Sequence, residues 1–193
     1  MVFSGMLREL RLETIDGTSG TGYVSLGFSN PEWKFRTILP VSLVDSIGLS
    51  MPGEYVLIGY EISWTDKSEK LVCPLLIYER LYGARNPYRF TAIRVIETRL
   101  NDNGIFSIVN EEGFSILLRN PLPGIMRNDI LLVSGERSKD SIIPSEILRR
   151  VADLSTFSEF PLIENDFDGD DRVFLLSRNF PRQKDGAWLL GDG

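Results

Sequence analysis

One layout occurs twice along this chain, and it restricts the fold more than any other feature. Around Thr37-Ile38-Leu39-Pro40, and again around Ile116-Leu117-Leu118-Arg119-Asn120-Pro121, an apolar run of strand-forming residues ends at a proline. A connector follows, then a turn with an acid, then a second apolar run. That run is Gly53-Glu54-Tyr55-Val56-Leu57-Ile58-Gly59 in the first case and Asn128-Asp129-Ile130-Leu131-Leu132-Val133-Ser134-Gly135 in the second. The flanks repeat as well. Gly22 to Gly104, Pro40 to Pro121 and Glu54 to Asp129 are separated by 82, 81 and 75 residues. Two copies of one small β unit are therefore expected: a mainly β protein built from two tandem small β-barrels with one or two short helices.

The expected units are residues 1–82 and 83–160, followed by an acidic C-terminal extension, 161–193. At 193 residues the chain suits one to two domains, and each repeat is near the small end for an independent core. In the first copy, strand signals cover 7–15, 23–28, 35–39, 54–64 and 71–78. Between the third and fourth, Leu43, Val44 and Ile47 share one face at helical spacing, and Gly48 with Pro52-Gly53 ends that helix. The second copy offers strands over 89–100, 105–109, 114–118 and 130–134, and a proline-broken bridge, Pro121-Leu122-Pro123, stands where the first copy has its helix. Residues 145–154 read as a second helix, with Ser145 as N-cap and Ile147, Leu148, Val151 and Leu154 facing inward. A last strand is expected over 173–176, within the extension.

Strand, strand, strand, short helix, strand, strand is the element order of an OB-type barrel, and the chain resembles that fold in layout. Residues 36–59 also resemble the strand–helix–strand motif of AbrB-type and related cradle-loop regulators. The matching residues are Leu39-Pro40, then Leu43, Val44 and Ile47-Gly48-Leu49, then Gly53-Glu54 and Val56. This chain departs from the motif by one extra residue before Gly53 and by Glu54 in place of Asp. The resemblance implies duplex-DNA binding by a dimer, with Arg36 and Lys34 at the DNA.

The residue inventory excludes much chemistry. The chain has no histidine and a single cysteine, Cys73, so histidine-based triads, zinc fingers and an internal disulfide are all impossible. Cys73 lies in Leu71-Val72-Cys73-Pro74-Leu75-Leu76-Ile77, the context of a packed thiol. There is no Gly-Lys-Ser/Thr phosphate loop, and the glycine-rich stretch 17–22 precedes a strand rather than a helix. Asp166, Asp168, Asp170 and Asp171 alternate as calcium ligands can, but the EF-hand pattern would need glycine at position 171 and glutamate at position 177. A solvated acidic loop, no metal and no cofactor are expected. These exclusions predict a non-catalytic protein. No run reaches the roughly 20 apolar residues of a membrane span, and residues 1–8 do not read as a signal peptide, so a cytoplasmic protein without membrane partners is expected.

Net charge is −6, and most of it lies in 151–193, which carries 9 acidic and 4 basic side chains; the two repeats are close to neutral. Basic residues are 16 Arg against 5 Lys, a bias toward the side chain that stacks and makes bidentate contacts. Arginine and aromatic residues interleave at the junction of the repeats: Arg80, Arg85, Arg89 and Arg94 with Tyr78, Tyr82, Tyr88 and Phe90. Trp33-Lys34-Phe35-Arg36 is a second such group. Single-stranded nucleic acid is held by cations along its backbone and aromatic faces against its bases. Trp33, Lys34, Arg36, Arg80, Tyr82, Arg85, Tyr88 and Arg89 are therefore the candidate nucleic-acid-binding residues. Tyrosine and arginine are equally favoured at protein contacts. The expected function is a binding module within a larger assembly, taking single-stranded nucleic acid, a protein partner, or duplex DNA as the AbrB-type resemblance implies.

Overall fold

The computed structural model describes residues 1–14, 22–62, 69–84, 90–157, 159–165, 171–177, 183–184 and 187–188. The chain divides into two compact units: Met1–Leu76 together with the described residues from Ala152 onward, and Ile77–Val151.

The first unit contains β1 (Val2–Thr14), β2 (Gly22–Ser29), β3 (Lys34–Pro40), α1 (Val41–Ile47), β4 (Glu54–Ile62) and the first part of β5 (Lys70–Gly83). β1 pairs antiparallel with β2 on one side and with β4 on the other, and β2 pairs antiparallel with β3. β3 meets β5 in parallel at Phe35 and Lys70, and β5 neighbours β4. The five strands thus form a closed cycle, first–second–third–fifth–fourth–first. Phe3, Leu7, Leu26, Phe28, Phe35, Leu39, Tyr55 and Leu57 fill its interior. The Phe28 and Phe35 rings stack with centroids 5.0 Å apart, and Tyr55 meets Phe28 edge-on at 6.1 Å. α1 begins after Pro40, buries Val44, and stops at Gly48, whose φ of 56° is a left-handed helix terminus.

Sequence alternation in β1 is imperfect because the strand carries a bulge. Leu7 faces Phe28 and Glu9 faces Gly27, which leaves Arg8 as the extra residue.

The second unit holds β6 (Thr91–Arg94), β7 (Glu97–Leu100), β8 (Phe106–Val109), β9 (Ser115–Leu118), β10 (Ile130–Arg137) and most of β11 (Ser141–Asp153). β6 and β7 act as one bent strand. Val95 N–H donates to Asp129 O on the β10 side at 2.9 Å, and Ile96 N–H donates to Val109 O on the β8 side at 2.8 Å. β7 pairs with β8, β8 with β9, β9 in parallel with β11, β11 with β10, and β10 with β6. This is the cycle of the first unit again, without a helix between its third and fourth strands. Ile93, Val95, Ile108, Ile116, Leu118, Leu131, Val133, Ile142 and Ile147 form its core.

A local detail is repeated along with the cycle. A Cβ on Gly59 would lie 2.1 Å from Cys73 O and 2.9 Å from Pro74 Cα. A Cβ on Gly135 would lie 2.1 Å from Ile143 O and 2.8 Å from Pro144 Cα. In each unit a glycine of the fourth strand thus lies tight against an X-Pro step of the fifth.

The second helix expected from the sequence, 145–154, is instead strand, within β11. Ser134 faces Glu146 while Gly135 faces Pro144, so Ser145 is the extra residue of a bulge. The bulge resets the parity of the strand, and Ile142 and Ile147, five positions apart, enter the same core. Leu148, next to Ile147 and on the other face of the strand, is buried as well, and it is this two-sided burial that imitates a helix. The Ser145 hydroxyl donates across the strands to Ser134 O at 3.1 Å instead of capping a helix. Among the described residues α1 is the single helix.

The extension contributes β12 (Glu159–Asn165) and β13 (Asp171–Ser177), an antiparallel pair belonging to the first unit, with β12 beside β3. The strand expected over 173–176 lies within β13. Two short strands, β14 (Gln183–Lys184) and β15 (Ala187–Trp188), pair with each other.

Candidate functional site

The β1–β2–β3 surface of the first unit carries a depression of about 440 Å³, lined by Arg8, Glu9, Gly27, Phe28, Ser29, Lys34, Arg36 and Glu69. Strand geometry explains the grouping. In β3 the alternation sends Phe35 into the core and turns Lys34 and Arg36 outward. In β1 the bulge keeps Leu7 in the core while placing Arg8 and Glu9 at the depression. Register sets Glu9, Gly27 and Arg36 in one row across three strands.

Arg36 organises the floor. Its Nε donates to Glu69 Oε2 at 2.9 Å, one terminal nitrogen to Ser25 Oγ at 2.6 Å and the other to Glu9 Oε2 at 2.8 Å. Gly27 leaves the space this requires. A Cβ there would stand 3.1 Å from Glu9 Cβ and 3.7 Å from the Arg36 guanidinium. The hydrogen bond from Arg36 holds the Glu9 carboxyl below its ordinary 4.5, against partial burial that raises it, and Arg11 adds to the lowering. Burial would lower the Arg36 guanidinium, but its bonds to Glu69 and Glu9 outweigh that and raise it.

A carboxyl whose folded pKa is depressed stabilises the fold above its unfolded pKa and loses that contribution as pH falls through the folded value. The melting temperature is therefore expected to drop below about pH 4.5, with Glu9 contributing to the drop. Glu9→Gln, which has no proton to take up, should melt lower at neutral pH and show a shallower acid decline. A decline as steep as wild type would remove Glu9 from this role.

Arg8 and Lys34 differ from Arg36. Both are exposed, and neither side chain has an ion-pair or hydrogen-bond partner among the described residues. The depression thus combines two available cations with one arginine already neutralised by two carboxylates. Among its lining residues Phe28 is the one aromatic, and it is 2 % exposed.

The candidate residues named from the sequence separate. Lys34 and Arg36 line the depression. Trp33 is half-buried, with its ring 5.5 Å from that of Phe3 and Lys70 Nζ 4.4 Å from its centroid. Arg80 and Tyr82 belong to the second unit. Tyr82 is exposed, whereas Arg80 is sealed in an ion pair with Glu146, the two side chains being 5 % and 3 % exposed. A guanidinium in that position is not presented to a ligand. Arg85, Tyr88 and Arg89 lie outside the described residues. Sequence reasoning missed Arg8, Glu9, Ser29 and Glu69. The isolated Gly27 inside a strand was the one available signal, since such a glycine marks close approach.

Cys73 is buried, and among the described residues no group of three or more potential ligands is placed to hold a metal. Asp166, Asp168 and Asp170 lie outside the described residues, and Asp171 begins β13. No described helix is long and apolar enough to cross a membrane. No family model, curated protein or solved structure matches the chain.

Proposed function

We propose that this protein is a non-catalytic binding module of two tandem OB-like barrels, and that the first binds single-stranded nucleic acid across its β1–β2–β3 face. The supporting connectivity is the cycle first–second–third–fifth–fourth–first, with a helix between third and fourth strands. In OB folds the face around strands two and three takes oligonucleotides. The observation that carries the proposal is the pair of unpartnered cations on that face, Arg8 and Lys34, spaced around a neutralised Arg36. Cations so presented suit phosphates, and the open depression admits a flexible strand.

Phosphate contacts release counterions, so affinity should fall with salt. Two contacts predict a slope of about −1.4 in log K against log salt for a single strand. Arg8→Ala and Lys34→Ala should each weaken binding and make that slope shallower by about 0.7. Fluorescence anisotropy of labelled single-stranded and duplex oligonucleotides at two salt concentrations measures both effects. Absence of single-strand binding at low salt would overturn the proposal and favour a protein partner. Tighter binding of duplex would favour the reading implied by the AbrB-type resemblance.

A further inference from the structure

We infer that Glu69 gives this site a base preference, for nucleotides whose bases carry an exocyclic amino group over thymine or uracil; the inference rests on the nucleic-acid reading above. A depression whose lone lining aromatic is buried offers no ring for a base to stack on. Discrimination must then come from polar atoms that meet base edges. Glu9 has both carboxylate oxygens engaged, Oε1 by Arg11 and Oε2 by Arg36. Glu69 differs. Its Oε2 accepts from Arg36 Nε, and its Oε1 accepts from no group among the described residues. Glu69 therefore presents a lone acceptor oxygen, held in place by the guanidinium and facing the same depression as Arg8 and Lys34.

An acceptor of that kind selects among bases. Cytosine offers its N4 amino hydrogens at the pairing edge, and a carboxylate oxygen accepts from them. Thymine offers its single N3–H between two carbonyl oxygens, which repel a carboxylate. Both are single-ring pyrimidines, so stacking and size differ little between them. A charge-assisted hydrogen bond of this sort corresponds to a preference on the order of tenfold.

The test is an anisotropy competition with oligo(dC) and oligo(dT) of equal length at neutral pH, on the wild-type full chain. The expected result is about tenfold tighter binding of oligo(dC). Glu69→Gln, whose amide can donate as well as accept, should bring the two affinities together. The same substitution frees Arg36 from one carboxylate, so oligo(dT) should bind more tightly than to wild type. Equal affinity of the two oligonucleotides for wild-type protein would overturn the base preference and leave the nucleic-acid reading standing. Binding of neither would overturn both. A preference that survives Glu69→Gln in a variant with unchanged thermal melting would remove Glu69 as its source.

Discussion

Gly59→Ala and Gly135→Ala are each expected to destabilise the protein by about 3 kcal/mol or more. The added methyl carbon would lie 2.1 Å from a backbone oxygen in either case, against Cys73 in the first unit and Ile143 in the second. A flexible side chain could swing away, but a carbonyl inside a sheet cannot. Relief requires moving one strand away from the next, which weakens the ladder hydrogen bonds around the contact. Gly48→Ala provides the comparison. Gly48 has a positive φ and no heavy atom within 4 Å of the would-be Cβ, so only conformational cost applies, about 1 kcal/mol. Urea unfolding of the three variants separates steric from conformational effects. Equal losses at all three positions would show that the close approach is not what fixes these glycines.

The second large effect concerns Arg80 and Glu146 in the second unit. Both side chains are almost fully buried and are ion-paired with each other. Beside them, Arg149 pairs with Glu79 and donates to Gly124 O at 2.6 Å, so β5 and β11 are joined by two oppositely oriented charge pairs. Removing one member of a buried ion pair takes from the other charge a partner that water cannot replace, at a cost of about 3–5 kcal/mol. Arg80→Met alone and Glu146→Leu alone should each lose about that much, whereas the double variant should recover most of it because no buried charge remains. A thermodynamic cycle of the four proteins measures the coupling. Additive losses would mean that the two side chains do not depend on each other.

The parts of the fold legible in the sequence are those set by local pattern. Apolar runs ending at Pro40 and near Pro121 mark third strands, and Val44 and Gly48 mark a helix and its end; the contact that Gly59 and Gly135 make is visible only in the structure. The pattern over 145–154 imitates a helix because the strand is buried on both faces there: adjacent Ile147 and Leu148 are both buried, as is Leu154, and strict alternation is lost. The candidate site was less legible, because its residues are distant in sequence. Positions 8, 27, 36 and 69 meet through register alone, and Arg8 and Glu69 belong to no local cluster. Conversely, the arginine-rich junction points to Arg80, whose ion-pair partner Glu146 is 66 positions away and invisible to local pattern.

The most direct test of the nucleic-acid site is amide chemical-shift mapping of the full chain titrated with a short single-stranded oligonucleotide. Shifts are expected at Arg8, Gly27, Ser29, Lys34 and Glu69, saturating together and reversed by salt. Shifts confined to the second unit, or none at all while a duplex or protein partner produces them, would contradict the proposed site.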